Sequence, residues 1–175
     1  MALESVDIQS KLQETFGENV KYFRKEYDMF VLEADEDVVY NVIKFLKEEP
    51  ALNFSFLTDL CGVHYPDSEE NEQFCVVYHL HNWYENKRIR VKTFLNGTKP
   101  EVKSITSLFN CANWMERETF DFYGIIFNGH PNLVRILNMD EMTSFPMRKE
   151  FPMEDSGRTD KDDRFFGRTI NNSTI

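Results

Sequence analysis

Cysteine is scarce, with three residues in 175. Cys61, Cys75 and Cys111 are odd in number, far apart and without a Cys-x-x-Cys pair. That spacing excludes a disulfide framework and a thiolate zinc or iron-sulfur site built by this chain alone. Reduced thiols in a cytosolic protein are the expectation. Basic residues are also outnumbered, 20 against 30 acids, for a formal net charge of -10. Such a balance repels phosphate backbones and excludes sequence-independent binding of nucleic acid. Long apolar runs are missing too: none approaches the roughly 20 residues that cross a bilayer. The opening "MALESVDIQS" has neither the basic nor the apolar region of a secretory signal. Any membrane contact is therefore expected to be indirect, through a partner.

What is present suits a folded domain. Apolar residues make up 41% of the chain and include 16 phenylalanines, well above the composition of disordered segments. A chain of this length buries a core without a metal or disulfide, so one domain with tails is expected.

Ile8, Leu12 and Phe16 recur at helical spacing, and "DMFVLEA", Asp28 to Ala34, reads as a strand. Asp35 is placed to cap a following helix whose stripe is Val38, Val39, Val42, Ile43 and Leu46, with Pro50 just beyond as a stop. The first fifty residues thus read α-β-α. "NFSFLTDLCGVHY", "QFCVVYHLHNW" and "KRIRVKTFLNG" are strand-like, and their short connections favour antiparallel pairing of at least the last two. In the last run Ile89, Val91, Thr93 and Leu95 alternate with Arg88, Arg90 and Lys92. One face should meet helices and the other water or a partner. Ser104 heads a helical turn through Ile105, Leu108 and Phe109. After Leu137, "NMDEMTSFPMRKEFPM" has two prolines and no period, which predicts an extended stretch dependent on neighbours. The polar end beyond it is expected to be flexible, apart from Phe165 and Phe166, which suit an anchor.

Chemistry concentrates in "NWMERETFDFYGIIFNGHPNLVRIL", Asn113 to Leu137. Asn113 and Glu116 have capping-box spacing. Arg117 and Asp121, four apart, are placed to pair on one helix face. Gly124 should end the helix, and Gly129 and Pro131 should frame a turn around His130 that satisfies backbone groups. The competing reading is acid-base or metal chemistry by Glu116, Glu118, Asp121 and His130. At about 100° per residue, Glu116 and Glu118 diverge, and neither a nucleophile nor a phosphate loop accompanies them. His79 and His81 share a strand face but lack identifiable further ligands, His64 being the nearest in sequence. Arg135, Arg148 and Lys149 read as solvated bases or as partners for another chain's carboxylates.

The segment resembles the signature of the C subunit family of NADH-quinone oxidoreductase, respiratory complex I. The match runs through Glu116, Arg117, Glu118, Asp121, Gly124, Ile125, Phe127, Gly129, His130, Pro131, Leu133, Arg135, Ile136 and Leu137. "LTDLCGVHYPD", "VVYHL", "RIRVK" and "FPMRKEFPM" are similar to further stretches of that family. There are departures: His64 stands where aspartate is more usual, Val134 replaces an arginine, and Met142 and Ser144 lie near a usual tryptophan and glycine.

The resemblance implies an α+β fold: a small mixed or antiparallel sheet packed by helices, a helix-turn segment, then an extended C-terminal arm. The domain would span 1-137 and a partner-binding arm 138-153; the tail 154-175, read as polar and flexible from its composition, matches nothing in that family. It also implies a non-catalytic peripheral-arm subunit that carries no cofactor and docks on the quinone-site D subunit, with the B subunit nearby. FMN, iron-sulfur clusters and quinone are expected in partner subunits, and the location on the cytoplasmic side of a bacterial inner membrane. Glu116, Arg117, Glu118, Asp121, Gly124, Gly129, His130, Pro131, Arg135, Arg148 and Lys149 would form the motif and partner interface. The nearest alternative is the equivalent subunit of a membrane-bound hydrogenase or of a quinone reductase with a donor other than NADH. A stand-alone acid-base or metal enzyme is the more distant one.

Overall fold

A computed structural model describes residues 5-27 and 29-151. Helix α1 (Ser5–Phe16) is followed by strands β1 (Val20–Glu26) and β2 (Met29–Ala34) and helix α2 (Val39–Glu48). Strands β3 (Phe56–His64), β4 (Phe74–Asn82) and β5 (Lys87–Leu95) come next. The short strand β6 (Glu101–Lys103), helix α3 (Ala112–Tyr123) and strand β7 (Ile126–Asn128) complete the regular elements. Five strands form one sheet in the order β1-β2-β5-β4-β3, and β6 pairs with β7 in a second, two-stranded sheet. β2 and β5 run parallel while the other pairs of the large sheet are antiparallel. The expected α+β class with a mixed sheet is the one observed.

Alternation builds the core. Ile89, Val91, Thr93 and Leu95 are fully buried, whereas Arg88 is exposed and Arg90 and Lys92 are half-buried. Val39, Val42, Ile43 and Leu46 turn their stripe inward from α2, and Ile8 and Leu12 do so from α1. Each such aliphatic side chain contributes about 1.5–3 kcal/mol by leaving water.

Two expectations for the first fifty residues need correcting. The first fifty residues are α-β-β-α, because β1 carries no readable period. It is a margin strand with mostly exposed side chains, and its register shifts between Lys21 and Arg24 around Tyr22, whose φ is +52°. That irregularity removes the period of two by which strands are recognised. Asp35 does not cap α2: Val38 holds the capping position without a side-chain cap, the Asp35 carbonyl accepts from Val38 and Val39 N–H in the turn before it, and the Asp35 carboxylate holds the Lys21 ammonium at 3.0 Å.

The stretch 138-151 is not extended. It is a succession of turns closed by Met142 N–H to Met139 O, Arg148 N–H to Phe145 O and Phe151 N–H to Arg148 O. Met147 N–H reaches back to Phe122 O on α3. Pro152, Met153 and the tail that contains Phe165 and Phe166 lie outside the described residues.

Candidate docking site

α3 lies against β3 because Gly62 has no side chain: a Cβ there would come within 2.7 Å of the Tyr123 ring and 2.9 Å of the Thr119 methyl. From this position the helix aims its polar residues in three directions.

Glu116 points into the core and is fully buried. Its carboxyl accepts from Ser104 Oγ at 2.7 Å and from Ile105 N–H at 2.7 Å. The capping box with Asn113 is therefore not formed: Asn113 lies inside α3, Cys111 is the capping position, and no side chain caps it. Glu116 instead closes the turn that precedes the helix, where two buried donors need an acceptor. Burial pushes its pKa from the ordinary 4.5 up to about 7, against the lowering effect of the two hydrogen bonds.

Asp121 is the hub of the signature. The expected ion pair with Arg117 is absent; the partner is Arg135, with Nη1 2.7 Å from Oδ1. Oδ2 accepts three successive backbone N–H groups, from Ile136 at 3.1 Å, Leu137 at 2.8 Å and Asn138 at 2.9 Å. The Asn138 side-chain amide donates to Oδ1 at 3.1 Å. Burial opposes ionisation of this carboxyl, but the hydrogen bonds and the guanidinium outweigh it and hold its pKa well below the carboxylate range. Arg135 also donates to Asp121 O, Met142 O and Ser144 O. Arg117 donates to Val134 O and Arg135 O. The two arginines and the aspartate thus replace the backbone pairing that a strand or helix would have given residues 134-144.

The rest of the signature continues this pattern. His130 Nδ1 accepts from Asn132 N–H at 3.0 Å, which leaves Nε2 to donate to Asn113 O at 3.2 Å. The ring satisfies one backbone group inside its turn and one on α3, tying the turn to the helix. Gly124 ends α3 at φ +73°, and Gly129 sits at φ +86°. Arg148 donates to Tyr123 O at 2.7 Å and lies over the Phe74 and Phe145 rings at 4.9 and 4.8 Å. Lys149 N–H donates to His64 Nδ1 at 3.0 Å, and the Lys149 side chain is exposed. Glu118 is exposed on the remaining side of α3.

Sequence reasoning missed His64 as a member of this site. It is buried, stacks on Phe74 at 4.5 Å, and its pKa is lowered by burial. Its imidazole Nδ1 serves as the acceptor for the Lys149 N–H. The other departures fall where only the backbone is used: Val134, Met142 and Ser144 each offer a carbonyl.

Little in this arrangement serves catalysis. Glu116 has a pKa suited to proton transfer but no exposed surface. His79 accepts from Arg90 Nε at 2.8 Å while His81 meets Asn86 at 3.3 Å, so the two imidazoles are engaged separately. Among the described residues no group of three or more His, Cys, Asp or Glu is placed to hold a metal. No helix among them is long and apolar enough to cross a membrane.

Outside this frame the segment is apolar. Leu137 is 64% exposed and Met139 75%, and Met147 and Phe151 are exposed as well. The chain is thus an α+β body whose charged signature folds a turn-rich flap and leaves apolar side chains outward. The family model for the respiratory-chain NADH dehydrogenase 30 Kd subunit matches residues 32–157, and the chain belongs to that family. It is 40% identical over 154 residues to the second C subunit of the NADH-quinone oxidoreductase of Rhizobium etli (strain CIAT 652), covering 87% of this chain and 80% of that one. A trypsin-resistant fragment of Nqo5 aligns at 25% identity with a TM-score of 0.61, over 74% of this chain and 100% of the fragment. The fold also recurs at TM-score 0.70 and 23% identity, over 85% of each chain, in a membrane-bound sulfane sulfur reductase, an archaeal respiratory membrane complex.

Proposed function

We propose that this chain is the non-catalytic C subunit of a bacterial NADH-quinone oxidoreductase, held in the peripheral arm on the cytoplasmic side of the membrane by its partners. Its role is to dock on the quinone-site D subunit, with the B subunit close by, and so to support electron transfer from NADH to quinone coupled to proton translocation. FMN, iron-sulfur clusters and quinone reside in the partner subunits. Family membership and the similarity to relatives of the same kind support this reading.

The observation that carries the docking role is the division of labour in residues 116-149. Glu116, Asp121, His130, Arg135 and Arg148 are spent on this chain's own backbone or its own carboxylate. They shape the surface, while Glu118, Pro131, Lys149 and the apolar Leu137, Met139, Met147 and Phe151 present it. A permanent interface between subunits buries about 2,000 Å² or more and has an apolar centre with a charged rim, which suits such a surface. The 138-153 segment is the partner-binding arm on this reading, carried as a folded flap over residues 138-151.

Purification of the C-terminally tagged chain from gently solubilised membranes of its host, followed by mass spectrometry, tests this. Recovery with flavin, iron-sulfur and quinone-site subunits is expected. Recovery with hydrogenase subunits, or alone, overturns it.

A further inference from the structure

β3 forms one margin of the large sheet, and no strand pairs with its outer side among the described residues. Beside it, between β3 and α3, lies a hollow of about 180 Å³. Its lining includes the apolar Leu60, Phe122 and Met147 together with two acids, Asp59 and Glu118. Asp59 is 54% exposed and meets the His79 imidazole only at 3.8 Å; Glu118 is exposed.

From this juxtaposition we propose that the β3–α3 hollow receives an extended, basic segment of a partner protein in the assembly. Three features select that occupant. A margin strand offers a row of backbone N–H and C=O groups, which an extended chain satisfies by adding a strand. A strand seated there directs alternate side chains inward, and a hollow of this volume accommodates one aliphatic or aromatic side chain against Leu60, Phe122 and Met147. Asp59 and Glu118 then face the flanking residues, where lysine or arginine is the complement and an acidic segment is rejected. Met147 belongs both to the hollow and to the exposed apolar flap, so the contact continues the docking surface around the margin of the sheet. The inference rests on the docking role proposed above and specifies the chemistry of the partner at one part of it.

The native thiols supply the test. Cys61 is half-buried and lines the hollow, Cys75 is buried inside the sheet, and Cys111 is exposed at the start of α3. Cysteine alkylation by a small maleimide, read by mass spectrometry, is compared between the isolated full-length chain and the same chain in the tagged complex. Cys61 is expected to react roughly tenfold more slowly or less in the complex, because interface cores exclude water and reagent. Equal Cys61 reactivity in a complex that contains the respiratory partners overturns the inference and leaves the docking role standing. Loss of those partners from the wild-type preparation overturns both. Protection that rises with concentration of the isolated chain, or that vanishes when residues 152-175 are removed from it, assigns the hollow to a second copy or to this chain and overturns it as well. In parallel, Asp59→Lys with Glu118→Lys is expected to lower recovered complex by roughly tenfold while the isolated chain's unfolding midpoint stays in place. Unchanged recovery is the contrary result.

Discussion

Residues 5-128 and residues 130-151 are held by different physics. The sheet and its helices hide aliphatic and aromatic side chains such as Leu32, Leu46, Tyr78 and Ile89 completely, and their backbone groups pair within strands and helices. The flap hides few side chains, and a handful of charged groups bind its carbonyls and N–H groups one by one. The body is consequently tolerant of apolar exchanges that keep volume, whereas the flap depends on single atoms. A surface built in this way keeps its apolar side chains outward, at the cost of concentrating its stability in one carboxylate.

The largest effect that separates the two regions is expected from Asp121→Ala. It strands the Arg135 guanidinium and three backbone N–H groups, and breaking such a buried pair costs about 3–5 kcal/mol. Hydrogen exchange should show the loss across 134-144 with the sheet protected; uniform loss over both regions would erase the distinction. Leu46→Ala in α2, a residue with no exposed surface, should cost about 2–5 kcal/mol and act on the whole domain, read by denaturant unfolding.

Protonation sharpens the contrast. Glu116 is raised to about 7 in the folded chain, so its contribution is fully present below pH 4.5 and is lost as pH rises through 7, over a range of roughly 3 kcal/mol. Glu116→Gln should flatten that slope in unfolding measurements made across the window. The His64 pKa moves the other way, lowered by burial, so its clamp on Lys149 N–H is present above about pH 6.5 and is lost as pH falls through the depressed folded value. The two windows overlap below pH 6.5, so each is read from its own variant: His64→Phe should remove the rising component, and an unchanged profile in either variant would contradict that placement.

Arg148→Ala should weaken the isolated chain by about 1–3 kcal/mol as well as the assembled complex, since the guanidinium donates to Tyr123 O and covers two rings. An effect on assembly alone would return this arginine to the partner. The smallest effect comes from a paired test of two glycines with left-handed backbone. Gly129→Ala, with open space around its Cβ position, should cost about 1–2 kcal/mol. Gly124→Ala adds contacts of 2.6 Å with Phe145 and 2.7 Å with Arg148, so thermal unfolding should rank it well below.

Elements whose signal is local could be read from the order of residues alone. The α2 stripe, the β5 alternation, the helix stop at Gly124 and the turn at His130 were legible, since each follows from spacing along a few residues; the bond from His130 to Asn113 O on α3 was not. The resemblance, carried by residues at fixed spacing, led to the family. The partners of the charged side chains emerged only in three dimensions. Arg117 lies one helical turn from Asp121, yet Arg135 takes the carboxylate, because the returning chain brings three N–H groups and a guanidinium to the same point and local pairing on a helix surface is worth only about 0.2–0.5 kcal/mol. Glu116 left its capping box for Ser104 and Ile105 for the same reason. A buried donor that lacks an acceptor costs more than an exposed cap supplies, and which donors are buried depends on how distant segments meet.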